Sequence, residues 1–161
     1  FINLLIMCAL CSSFRTGILL CLLFCSTSLI GWGQINKLVI VDPLVSGKSS
    51  EIINNNPTAK VLILPDNENP LRLITAEIKK ASFDEIHLYL LTKPGSVIFD
   101  EINIIPENVQ DYSADLSEWK KYLKSEAVIY IHSENLTSIP EGINIVNSIS
   151  SFTGKKVLVE K

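Results

Sequence analysis

Beyond Asn36 the chain alternates between short apolar runs rich in β-branched residues and longer stretches with helical spacing. The runs are Lys37 to Asp42 (KLVIVD), Lys60 to Leu64 (KVLIL), Glu85 to Leu91 (EIHLYLL), Ala127 to His132 (AVIYIH) and Lys156 to Glu160 (KVLVE). They are too short for helices and apolar at consecutive positions, which predicts strands covered on both faces. Between them, Leu71, Ile74, Ile78 and Ala81 recur at helical spacing after Asn69-Pro70, a helix-start signal. Val109, Tyr112, Leu116, Trp119 and Leu123 follow at alternating intervals of three and four and predict a long helix. A last helix is expected to open on Ser138-Ile139-Pro140-Glu141 as a capping box and to stop at Gly154. The first crossover, Ser46 to Asn54, is short and weakly patterned.

This alternation is the pattern of βαβ units, so the expected fold is α/β with a mainly parallel sheet of about five strands. One insertion interrupts it. Gly95 to Ile105 (GSVIFDEINII) reads as a small β-hairpin pivoting near Asp100-Glu101. Right-handed crossovers and short connections favour a strand order near 2-1-3-4, with the fifth strand outside the fourth. In such sheets ligands bind beyond the carboxyl ends of the strands. The residues expected there are Asp42, Asp66, Leu91, Thr92, Lys93, His132, Ser133 and Glu134.

Charge divides the chain at its start. Residues 1–33 carry one charged side chain, Arg15, whereas everything acidic and every other basic residue lies beyond them. Arg15 is followed by the apolar stretch Gly17 to Cys25, the polar Ser26-Thr27-Ser28 and small residues at Gly31 and Gly33. That is the layout of a secretory signal, with Met7 as the expected start and residues 34–161 as the mature domain. Gly17 to Ile30 is shorter than the roughly 20 residues a membrane span needs, so membrane contact is expected only through an uncleaved leader. All four cysteines, Cys8, Cys11, Cys21 and Cys25, fall in the leader. The mature domain must therefore work without a thiol, a disulfide or a cysteine-held metal. A net charge of −3 with no basic run speaks against a nucleic-acid partner.

Candidate chemistry is sparse. Ser46-Gly47-Lys48-Ser49 follows the first strand, but a phosphate-binding loop needs a glycine where Asp42 stands, and Pro43 lacks an N–H. Two histidines do not make a standard zinc site without carboxylates, and no metal or cofactor is expected. His87, between Ile86 and Leu88, reads as a hydrogen-bonded interior imidazole. His132 closes the fourth strand beside Ser133 and Glu134, and its position suggests chemistry. Adjacent residues on a strand point to opposite faces, which weakens a Ser133-His132 pair. Asp42 and Asp66 end neighbouring strands, yet two carboxylates are too few for a calcium site. Asp111, Asp115 and Glu118 read as a solvated helix face, and Asn135-Leu136-Thr137 as a chance match to a glycosylation sequon.

Several landmarks recur in order: Val39-Ile40-Val41-Asp42, Phe83-Asp84-Glu85-Ile86-His87-Leu88, Pro94-Gly95, Val128-Ile129-Tyr130 and Phe152-Thr153-Gly154. With these the chain, from about Lys37 to Lys161, resembles the bacterial "domain of unknown function 4347". The resemblance implies a three-layer, caspase-like (Rossmann-like) α/β domain found near the N-terminus of large exported, adhesin-like proteins. It also implies Ser-His-Gly ending the third strand and Tyr-Gly-Cys-Asn ending the fourth, a dyad similar to that of caspase-type peptidases. Here those motifs fall on Leu90-Leu91-Thr92 and Tyr130-Ile131-His132-Ser133, so Leu91 replaces the base and His132 the nucleophile. Leucine accepts no proton, and without a thiolate there is no cysteine attack. Lys161 falls inside the fifth strand, short of the family's usual end, so a truncated product or fragment is expected. The expected function is an exported, catalytically inactive interaction or spacer module, secreted or at the cell surface, with an unknown protein or surface partner. The alternative is a hydrolase using His132 and Ser133 with a strand-end carboxylate.

Overall fold

The computed structural model describes residues 35–161 apart from Asn67, and the leader expectation lies outside them. Five parallel strands form the main sheet: β1 (Lys37–Val41), β2 (Lys60–Ile63), β3 (Glu85–Tyr89), β7 (Val128–His132) and β8 (Lys156–Glu160). Their order is β2-β1-β3-β7-β8, which is the order expected from the crossover rule. Between β3 and β7 the chain builds a second, antiparallel sheet from β4 (Leu91–Lys93), β5 (Ser96–Phe99) and β6 (Ile102–Ile104). Leu91 therefore ends no strand of the main sheet. It opens β4, because the third strand stops at Tyr89 and the insertion recruits the residues that follow Leu90.

The helices are α1 (Ser49–Asn55), α2 (Pro70–Ile78), α3 (Ser113–Tyr122) and α4 (Pro140–Thr153), with 3-10 turns at Pro43–Lys48, Val109–Tyr112 and Leu136–Ser138. Asn69 caps α2 by accepting from the Arg72 N–H, and Gly154 ends α4 in the left-handed region at φ 62°. The expected capping box on α4 does not form. Ile139 occupies the N-cap, and the Ser138 hydroxyl donates instead to the Asn135 carbonyl within the preceding turn. Residues 109–112 of the long expected helix are wound as a 3-10 turn before α3.

One face of the sheet carries the main core. Leu38, Ile40, Ile86, Leu88, Ile129 and Ile131 pack against Leu71, Ile74 and Ile78 of α2, Leu116 and Trp119 of α3, and Ile145 and Ile149 of α4. The fully buried Trp119 indole donates to Thr75 Oγ1 at 2.8 Å, and Thr75 donates in turn to the Leu71 carbonyl at 2.7 Å, so the indole N–H and the threonine hydroxyl between α2 and α3 are both satisfied. The other face is covered only in part. Val39 and Val41 pack with Ile52 of α1, but β7 alternates between buried and half-buried positions, and Glu160 of β8 is exposed. Coverage on both faces holds for β1 and fails for β7 and β8, where Tyr130, His132 and Glu160 occupy the less covered side.

Candidate functional site

Strand periodicity selects which side chains share that less covered face. Glu85, His87 and Tyr89 alternate along β3, while Tyr130 and His132 alternate along β7. The parallel register sets His87 opposite Tyr130, Tyr89 opposite His132, and His132 opposite Glu160 of β8. The two histidines are thus diagonal neighbours on adjacent strands. His87 Nδ1 lies 2.9 Å from His132 Nε2, and His87 Nε2 lies 3.2 Å from Glu85 Oε2. Glu85 also meets the Lys37 ammonium at 3.3 Å. His132 Nδ1 is 4.0 Å from Glu160 Oε2.

Aromatic rings hold both imidazoles in place. His87 stacks on Tyr130 at 4.5 Å between centroids, and His132 stacks on Tyr89 at 3.9 Å with the planes 4° apart. Burial pushes the His132 imidazole down to about 4, helped by the neighbouring His87 and Lys37. Burial also lowers His87, against the raising effect of Glu85. The Glu85 carboxyl sits below its ordinary value because hydrogen bonds and charge from His87 and Lys37 outweigh its own desolvation. An ionised Glu85 accepts, so His87 Nε2 carries the proton and Nδ1 is bare. His132 Nε2 then donates to His87, and the pair shares a single N–H between two neutral rings.

His132 also borders a cleft of about 730 Å³ at the carboxyl end of the sheet, together with Tyr89, Leu91, Thr92, Ser133, Glu134 and Glu160. Five of the residues expected from the sequence meet there: Leu91, Thr92, His132, Ser133 and Glu134. The Ser133 hydroxyl is occupied, lying 2.7 Å from Thr92 Oγ1 while accepting from the Leu136 N–H at 2.9 Å and the Asn135 N–H at 3.3 Å. It fastens the turn after β7 to β4.

The strand-end carboxylates have other work. Asp42 is fully buried, and its two oxygens accept the Leu44 N–H at 2.9 Å and the Asp100 N–H at 2.7 Å. It thereby caps the turn after β1 and anchors the β5–β6 hairpin, whose tip residue Asp100 takes a φ of 49°. Burial raises its pKa, with the charges of Asp100 and Asp66 adding to the effect. Asp66 and Lys93 are exposed and do not border the cleft. Sequence reasoning missed Glu85, Glu160 and the pairing of His87 with His132. The alternation of polar Glu85, His87 and Tyr89 with apolar Ile86 and Leu88 was the available signal, since it marks a strand with one polar face.

A family model described as "Domain of unknown function (DUF4347)" matches residues 38–161. No curated protein and no solved structure gives a significant match.

Proposed function

Since this chain belongs to the DUF4347 family, whose description leaves the activity open, we propose that it is an exported, catalytically inert, caspase-like module. In this reading it serves as an N-terminal interaction or spacer domain of a larger bacterial surface or secreted protein. The observation that carries the proposal is the make-up of the cleft. Leu91 and His132, the positions to which the resemblance assigns base and nucleophile, both border it, and every cysteine of the chain lies within the first 25 residues. A cleft with a leucine for a base and an imidazole for a thiolate is suited to holding a partner, and peptide-bond attack has no sulfur nucleophile in it. Export rests on the leader pattern, and attachment to a larger protein rests on the resemblance.

The rival reading, a hydrolase built on His132 and Ser133, is disfavoured by the hydroxyl's bonds to Thr92 and to two backbone N–H groups. The test is to incubate the full chain with a mixed peptide library and follow cleavage by mass spectrometry. The expected result is no cleavage that depends on this protein. Turnover abolished by His132→Asn or Ser133→Ala, with a bell-shaped pH profile, would overturn the proposal.

A further inference from the structure

We propose that His87, His132 and Glu160 form a binding site for a divalent transition-metal ion of the zinc class. This goes beyond the reading above and does not depend on it. One donor atom from each of the three residues lies within 4.8 Å of the others. Two imidazole nitrogens and one carboxylate oxygen are a donor set that suits zinc and its neighbours, and three protein ligands leave one coordination position for water or a partner's side chain.

Entry of the ion calls for a local rearrangement of the three side chains. The facing imidazole nitrogens are 2.9 Å apart, and a tetrahedral ion with metal–nitrogen bonds near 2.05 Å sets its donors about 3.3 Å apart. Admitting the ion in place of the shared N–H takes a few tenths of an ångström of separation and a turn of both rings, because lone pairs aligned along the hydrogen bond must both aim at an ion off that line. His132 then changes tautomer, its proton moves to the ring nitrogen not used, and no proton leaves the pair. The carboxylate has the larger distance to close and the freedom to do so. Glu160 is 46% exposed at its side chain, against 18% for His132 and 8% for His87, which also gives the ion an approach from solvent.

One further feature fits a metal site. The ring nitrogen of His87 that faces away from His132 is bonded to Glu85, the carboxylate–histidine arrangement that orients metal-bound imidazoles and raises their basicity. Lys37 brings an opposing positive charge, but it is drawn to Glu85, whose own charge offsets it.

The leader cysteines are competing ligands in the full chain, so the experiment alkylates them first. The alkylated chain is titrated with Co2+, followed by its visible absorption, and the bound Co2+ is then displaced with Zn2+. The expected result is one ion per chain in the micromolar range or tighter, with the nitrogen–oxygen spectrum of a four- or five-coordinate ion. His132→Asn and Glu160→Gln should each weaken binding about tenfold or more, and Glu85→Gln should weaken it through the second contact of His87. His132 and Glu160 are not deeply buried, so these variants keep the test valid if His87→Asn fails to fold, with circular dichroism as the check. Loss of all binding on alkylation, or binding indifferent to both His132→Asn and Glu160→Gln, would overturn the proposal.

Discussion

Two buried carboxylates show how the same side-chain chemistry is used in opposite ways. Asp42 is held by backbone N–H groups with burial prevailing, so its pKa is raised in the fold. Glu77 is 6% exposed, and hydrogen bonds from Lys60 and Lys80 hold its pKa below the ordinary value. The pH consequences have opposite signs. Glu77 contributes stability that is present above its unfolded pKa and lost as pH falls through its lowered one. Asp42 contributes stability that is present below its unfolded pKa and lost as pH rises through its raised one. Urea unfolding across the acid range should therefore show the deficit of Glu77→Gln growing with rising pH and the deficit of Asp42→Asn shrinking. Parallel trends for the two variants would contradict these environments. At the acid end of that range Asp42→Asn should cost about 1–3 kcal/mol, because the amide nitrogen cannot accept an N–H in place of the second Asp42 oxygen. The position of Asp42 at a strand end was legible in the sequence. Its role was not, because the second donor comes from Asp100, 58 residues away.

Among the elements, α4 depends on a glycine that the sequence pattern did not single out. A Cβ at Gly142 would lie 1.8 Å from the Leu136 carbonyl oxygen, so the first turn of the helix packs directly on backbone. Gly47, in the turn before α1, has nothing within 4 Å of the same construction. Gly142→Ala should lose at least about 2 kcal/mol by overpacking, despite the better helix propensity of alanine. Gly47→Ala should be neutral or stabilising by up to about 1 kcal/mol. Denaturant midpoints of the two variants compare them, and equal midpoints would refute the close approach at α4. Helix existence was legible from apolar spacing at Leu71, Ile74, Ile78 and at Leu116, Trp119. Helix ends were less so: Ser138 had the right residue type for a cap, but its hydroxyl was taken by Asn135, a choice made by the turn that Gly142 packs against.

For the whole molecule, strand order followed from β-branched runs separated by crossovers, and the hairpin followed from the interruption at Gly95. What the pattern could not supply was register and coverage. An apolar run reads the same whether one face or two are packed, and β7 and β8 look as continuous as β1 although only one of their faces is buried deeply. Register decides the site. A shift of one residue between β3 and β7 would put His87 and His132 on opposite faces. In the register observed they stand 2.9 Å apart against Glu85, with Glu160 alongside on β8. The most direct test is the ¹⁵N chemical shifts of the imidazole nitrogens at neutral pH. Two neutral rings are expected, with His87 protonated on Nε2 and bare on Nδ1, and a coupling across the hydrogen bond from His132 Nε2. Two independent rings, or His87 protonated on Nδ1, would contradict this pairing.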